Sequence, residues 1–409
     1  MVILKNILNS PVEVYGRNFE NRILFHPMEG CDGTADGAVD ELTRRRYLRF
    51  AKSGAGCIWF EATAVCAEGR ANPRQLYLNE KTKESFKSLL EEIRRTAKEE
   101  CGFSPVIIVQ LTHSGRFSKP EGAPAPIVAY RNSEWEKGKE NQPYVIASDE
   151  YCRKIPVYYA EAAKLAQEVG FDGIDVKCCH GYLFNEFLSA TEREGIYGGK
   201  LENRTRLYFE CIDAVRAAVS EKVFVTTRLN ACDCFPYPFG YGVNKKNEID
   251  LTETKAIISA LSEKGIKLIN LTLGNPYLIP HINRPCINSP EDGKIGMKRI
   301  YDVTKELKDS FPDIKFVASG LSFEGENAVD YAEKILNEGV ADFAGFGRLT
   351  FAYPDFYRDY LKNGSLDKTK VCLKCSKCSE LMRNASVAGC PVRDSEVYMP
   401  YYRRDVLKK

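Results

Sequence analysis

Short runs of β-branched and apolar residues recur along this chain, each followed by a stretch whose apolar positions fall three and four apart. Apolar runs of this length suit strands buried on both faces, and the three-and-four spacing marks one face of a helix. The pattern predicts strands over 23–27, 57–62, 106–111, 173–177, 223–229, 268–273, 315–319 and 342–346. Helices are predicted between them, including 83–98, 156–169, 204–218, 251–264 and 326–337. Gly170, Gly265 and Gly339 stand where such helices stop, as expected of left-handed C-caps.

Strands alternating with helices in this way predict a (β/α)8 TIM barrel of the α/β class. A doubly wound sheet is the structural competitor, and it would place a glycine-rich dinucleotide turn after its first strand. Here Met28-Glu29-Gly30-Cys31-Asp32-Gly33 follows instead. A barrel places its chemistry at the C-terminal ends of the strands. The stretch 116–151, with Pro120, Pro124, Pro126 and Pro143, reads as an extended loop over the barrel mouth. The stretch 230–248 carries aromatic residues between Phe235 and Tyr241. It reads either as a packed aromatic loop or as a wall for a flat substrate.

The 409 residues have room for one large domain and an appendage. The expected division is a barrel over 1–360 and a cysteine-rich extension over 361–409. A net charge of +2 gives no case for nucleic acid or for an anionic membrane surface. No apolar run is long enough for a transmembrane helix, and the N-terminus shows no secretory pattern. Fifteen cysteines in such a chain fit a reducing cytoplasm, and they suggest an anaerobe.

Cys372, Cys375, Cys378 and Cys390 are spaced C-x2-C-x2-C-x11-C. Three thiolates in a compact run with a fourth returning after a loop suit a [4Fe-4S] cluster. A structural zinc is the competing reading. Placed at the end of a strand-and-helix chain, the cluster suggests redox chemistry in the barrel.

Five segments in order carry a resemblance. They are Asn21-Arg22-Ile23 with Pro27-Met28, then Gln110-Leu111-Thr112-His113-Ser114-Gly115-Arg116, then His180-Gly181-Tyr182-Leu183. Tyr197-Gly198-Gly199-Lys200-Leu201-Glu202-Asn203-Arg204 and Gly345-Phe346-Gly347-Arg348 complete the set. The chain resembles the old yellow enzyme family of flavin oxidoreductases over roughly residues 1–360. With the cysteine quartet it looks like the branch that includes 2,4-dienoyl-CoA reductase and trimethylamine dehydrogenase.

The resemblance implies FMN at the barrel mouth. Backbone at Pro27 and Met28 would meet the isoalloxazine, with Glu29 and Ala62 nearby, and Gln110 would bond its pyrimidine edge. Arg228 would set positive charge against the reduced flavin, and Ser319, Gly320, Gly347 and Arg348 would bind the phosphate. Tyr182 is implied as the proton donor to a substrate carbon, with His180 and Lys177 anchoring the carbonyl. Two positions depart from the family pattern. Lys177 stands where a His is usual, and it could instead pair with Asp175, Glu29 or Glu186. Glu29 stands where Thr or Cys is usual, and it would have to be protonated or paired. His113 reads as a satisfied structural histidine, whereas His26 and His281 carry no signal.

The implied activity is an ene-reductase acting on a C=C conjugated to a carbonyl or thioester. Enoyl thioesters, steroid or bile-acid enones and tetrapyrroles are the candidate substrates. An amine dehydrogenase and an electron-transfer subunit are the alternatives. Only 391–409 follows Cys390, too little for the FAD/NAD(P) half of the branch's longer members. Electrons are therefore expected from NAD(P)H directly, or from a ferredoxin or flavoprotein through the cluster. Homo-oligomer formation is left open.

Overall fold

The computed structural model describes residues 7–408. Eight parallel strands close into a barrel: β1 (Ile23–Phe25), β2 (Cys57–Ala64), β3 (Val106–Thr112), β4 (Gly173–Val176), β5 (Phe224–Cys232), β6 (Leu268–Leu273), β7 (Lys315–Ala318) and β8 (Phe343–Phe346). β8 pairs with β1, Gly345 opposite Leu24, which closes the ring. The helices around it are α1 (Glu41–Ala51), α2 (Lys83–Cys101), α3 (Asp149–Val169), α4 (Arg206–Ala218), α5 (Thr252–Glu263), α6 (Gly293–Ser310), α7 (Ala328–Asn337) and α8 (Phe356–Asn363). This is the expected (β/α)8 TIM barrel.

Alternation along each strand separates two apolar layers. Leu24, Trp59, Ile108, Phe224, Leu268, Val317 and Phe343 fill the barrel interior. Phe25, Phe60, Val109, Ile174, Ile269 and Phe346 face the helices. An antiparallel hairpin, Val12–Val14 with Arg17–Phe19, inserts Val14 and Phe19 into the interior layer and seals the N-terminal end. Gly173 makes room inside: a Cβ there would lie 2.4 Å from the Phe224 ring. Chemistry is thereby confined to the opposite, C-terminal mouth.

Three expectations about element limits are corrected. α3 begins at Asp149, because Ser148 caps it by accepting from the Tyr151 amide at 3.1 Å, so Pro156 lies inside the helix. The mouth loop accordingly ends before Tyr151. It also contains a short parallel ladder, Ile127–Val128 with Val145–Ile146, rather than being wholly extended. β5 runs on to Cys232, because Asn230 pairs with Thr272 of β6.

After α8 come α9 (Lys377–Arg383) and α10 (Ser395–Asp405). Asp394 accepts from Arg45 at 2.8 and 2.9 Å and from Arg49 at 2.5 Å, tying this segment to α1. The Ala388 amide donates to the Gly30 carbonyl at 2.6 Å. The C-terminal segment therefore lies across the mouth beside the loop after β1. No helix among the described residues is long and apolar enough to cross a membrane.

Candidate active site

A cleft opens at the mouth. Pro27, Met28 and Glu29 enter it from the loop after β1, and Lys177, His180 and Tyr182 from the loop after β4. Arg228 comes from β5, Ser319 and Gly320 follow β7, and Gly347 and Arg348 follow β8.

The loop after β4 is shaped by two successive left-handed residues, His180 (φ 67°) and Gly181 (φ 69°). A Cβ at Gly181 would lie 2.2 Å from Asn275 Nδ2, so the turn requires glycine. This turn swings Tyr182 back into the cleft. Its hydroxyl lies 3.0 Å from Glu29 Oε1 and 2.8 Å from the Tyr277 hydroxyl. Lys177 Nζ is 3.5 Å from Glu29 Oε1 and 3.6 Å from the centroid of the Tyr182 ring. Of the three partners open to Lys177, the structure selects Glu29. Glu186 pairs instead with Arg116, and Asp175 faces the barrel interior.

Burial, then the charge of Glu29 and the neighbouring Tyr277, pushes the Tyr182 phenol well up. His180 is pushed well down by burial and by Arg228, Lys177 and Arg284, so its imidazole is neutral near pH 7. A neutral imidazole can still donate one hydrogen bond to a carbonyl.

The opposite wall is cationic. Arg348 Nη2 donates to the Pro285 carbonyl at 2.7 Å, while buried Arg348 Nη1 and Arg228 Nε have no partner. Gly320 takes φ 89°, and a Cβ there would lie 2.8 Å from Met297 Sδ. The wall therefore offers close backbone approach beside two buried, unsatisfied guanidinium donors. That donor set fits FMN, whose phosphate and reduced ring are both anionic.

Gln110 and Ala62 do not reach the cleft wall. Gln110 Nε2 donates to Asp175 Oδ2 at 2.6 Å, because Gln110 and Asp175 lie side by side in the β3–β4 register. Asp175 also takes Trp59 Nε1 at 2.8 Å and the Arg228 amide at 2.7 Å. Burial raises its carboxyl to about 6, against these donors. Ala62 is buried within β2, and its carbonyl accepts from Gln75 at 3.0 Å. The aromatic loop is packed at its ends and stands away from the cleft: Phe235 meets Trp135 at 5.5 Å and the Tyr241 hydroxyl bonds Thr254 at 2.7 Å, while Tyr237 is exposed. His113 is structural as expected, held between the Gly115 amide at 3.0 Å and the Tyr151 hydroxyl at 2.8 Å.

Cys378, Ser379, Met382 and Ala388 form part of the cleft wall, so the cysteine-rich segment completes it. None of the four quartet cysteines is in a disulfide. Burial, then Cys372, raises Cys378 to about 11, and burial, with smaller contributions from Cys372 and Cys375, raises Cys390. The Lys374 amide points at Cys372 Sγ at 3.4 Å and the Arg393 amide at Cys390 Sγ at 3.3 Å. Lys374 (φ 60°) and Ser376 (φ 61°) fold the loop around the sulfurs. Among the described residues, no three such side chains stand at metal-binding spacing. The thiols are nevertheless neighbours with amides aimed at them, which suits thiolate ligands.

Tyr277, Asn283 and Arg284 line the cleft without having been singled out in the sequence, as does His26. Tyr277 stacks on Phe117 at 4.0 Å, and Asn283 Nδ2 lies 3.3 Å from His180 Nε2. The available signal was position: Gly274-Asn275-Pro276-Tyr277 directly follows β6, at the catalytic end of a barrel strand.

A closed parallel barrel whose mouth holds a buried phenol and unpartnered arginine donors suits an oxidoreductase with a phosphorylated cofactor. The chain belongs to the NADH:flavin oxidoreductase / NADH oxidase family, whose model matches residues 8–364, and so to a family of FMN-dependent oxidoreductases. It is 33% identical over 275 residues to an NADPH dehydrogenase of Geobacillus sp. (strain WCH70), covering 66% of this chain and 74% of the relative. It is 27% identical over 381 residues to a metal reductase of Desulforamulus reducens, covering 91% of this chain but 51% of that protein, about half its length. The fold is shared with the complex of 2-naphthoyl-CoA reductase and 2-naphthoyl-CoA, at TM-score 0.77 and 19% identity, over 94% of this chain and 56% of that one.

Proposed function

We propose that the chain holds FMN in this cleft and reduces a C=C bond conjugated to a carbonyl or thioester. The observation that carries the reading is the Tyr182 hydroxyl, set by the left-handed turn between Glu29 and Tyr277 in a cleft walled by Arg228 and Arg348. FMN, when bound, supplies the hydride, and NAD(P)H is the nicotinamide donor expected of the family. Arg228 and Arg348 neutralise the charge of the bound group. His180 and Lys177 bind the substrate carbonyl and draw electron density from the alkene. Tyr182 gives its proton to the substrate carbon. Burial keeps that proton on oxygen until a carbanion develops beside it.

Cys372, Cys375, Cys378 and Cys390 would hold a [4Fe-4S] cluster in the extension over 361–409. Cys378 on the cleft wall supports a direct electron path to the flavin from a ferredoxin or flavoprotein. The amine dehydrogenase alternative is disfavoured by Lys177, Arg228 and Arg284, which would repel a cationic substrate.

Anaerobic cofactor analysis tests the reading: FMN with about four iron and four sulfide per chain is expected. Zinc in place of iron, or no flavin, refutes it. Tyr182→Phe should slow reduction of an enone by about 10²- to 10⁴-fold, the usual worth of a general acid. An unchanged rate removes the role assigned to Tyr182.

A further inference from the structure

Glu29 is the least explained residue of the cleft: an acid beside a site that gains negative charge. Its position suggests a use. Glu29 and Tyr277 border the cleft on one side and a second, outer chamber on the other. The outer chamber carries Arg116, Lys119, Lys139 and Gln142 among apolar residues such as Phe117 and Met382, so charged and polar groups that can hold water stand in its wall. Glu29 keeps a side-chain exposure of 10%, while Lys177 has 3%. Glu29 thus touches the buried proton donor and also faces the outer chamber.

We infer that Glu29 is the proton reservoir for Tyr182, loaded from the outer chamber when the cleft gains negative charge. The inference rests on the reading of Tyr182 as proton donor. The groups facing Glu29 are Lys177, Cys179 and Tyr182 from the loop after β4, Tyr277 from the loop after β6, and Cys31 on its own loop. With Glu29 ionised, Lys177 pairs with it and the Tyr182 hydroxyl donates to it, which holds the phenolic proton in place. Negative charge arriving in the cleft competes with Glu29 for Lys177, and a proton reaching Glu29 through the outer chamber takes the place of that cation. Protonated Glu29 then donates to the phenol oxygen and makes Tyr182 the stronger acid.

The bookkeeping closes on one proton and one hydride per C=C. Reduced FMN, when bound, would supply the hydride equivalent for the β-carbon. The Tyr182 O–H bond breaks as a C–H bond forms at the α-carbon. The Glu29 O–H bond breaks as the Tyr182 O–H re-forms, and Glu29 returns to the carboxylate paired with Lys177.

The test uses holoenzyme of the wild type, Glu29→Gln, Glu29→Asp and Tyr182→Phe. Infrared difference spectra on photoreduction should show a protonated-carboxyl band in the wild type and in Tyr182→Phe. The band should shift in Glu29→Asp and vanish in Glu29→Gln. In parallel, the reduced proteins are reoxidised by 2-cyclohexen-1-one and by ferricyanide, which needs no carbon protonation. The enone-to-ferricyanide rate ratio should fall about tenfold or more in Glu29→Gln, in keeping with loss of an acid acting through Tyr182. A wild type without the band, or a band that survives in Glu29→Gln, overturns the reservoir. An unchanged ratio in Glu29→Gln overturns the hand-off. An unchanged ratio in Tyr182→Phe with the Glu29 band intact overturns the Tyr182 reading and leaves proton uptake by Glu29 standing.

Discussion

Replacing Arg46 with methionine should both destabilise the barrel and loosen the loop that carries Glu29. Arg46 lies on α1 and is 4% exposed. Its Nη2 lies 2.8 Å from Asp32 Oδ1 and 2.7 Å from Glu61 Oε1, two carboxylates that are 0% and 1% exposed. Glu61 Oε2 accepts the Gly30 amide at 2.8 Å, and a Cβ at Gly30 would lie 2.1 Å from Arg46 Nη2. The loop after β1 is therefore laid directly on the guanidinium.

Methionine keeps the volume and removes the charge, leaving two buried carboxylates without a cation. Breaking a buried pair from one side costs about 3–5 kcal/mol. Burial already pushes Glu61 up, and Arg46 opposes that push. A carboxyl raised above its unfolded value favours the fold at low pH and loses that contribution as pH rises. Without Arg46 the rise is larger, so the deficit should be greatest at about pH 8 and shrink towards about pH 5.5. Urea unfolding of wild type and Arg46→Met at both pH values measures it. A deficit below about 1 kcal/mol, or one independent of pH, would refute the reasoning.

Two further outcomes follow from other parts of the structure. Arg348→Met should weaken FMN binding by roughly 10- to 150-fold, the worth of a charge-assisted hydrogen bond of about 1.5–3 kcal/mol; titration of flavin-free protein measures it, and wild-type affinity would remove Arg348 from the phosphate site. Asp394→Asn leaves Arg45 and Arg49 without their shared carboxylate, so hydrogen exchange should quicken in α9 (Lys377–Arg383) while β3 (Val106–Thr112) stays protected; equal protection in α9 would show that the clamp is idle.

The barrel was legible because its signal is local. A strand buried on both faces must be mostly apolar, as 57–62, 106–111 and 268–273 are apart from Glu61, Gln110, Asn270 and Thr272, whatever lies next to it. Order along the chain then placed Tyr182, Lys177 and Arg348 at strand ends. Legibility failed where a polar residue takes a buried post. The Arg44-Arg45-Arg46 run in α1 breaks the apolar spacing, yet Arg46 is a core residue because Asp32 and Glu61 meet it there. Asn230 looked like the start of a loop, but its pairing with Thr272 keeps it in β5.

The sequence by itself determined the alternation that closes into a barrel, the family, and the residues carried to its mouth. Pairing was decided by tertiary structure alone. Lys177 had three acids to choose from, and the fold gives it Glu29 because the loops after β1 and β4 meet across the mouth. Gln110 turns to Asp175 because the β3–β4 register sets them side by side. Tyr277 reaches Tyr182 from a loop 95 residues away along the chain. Spacing along a chain fixes which side chains share a face, but distance across a cleft belongs to the closed ring of strands, and that distance decides which acid serves which phenol.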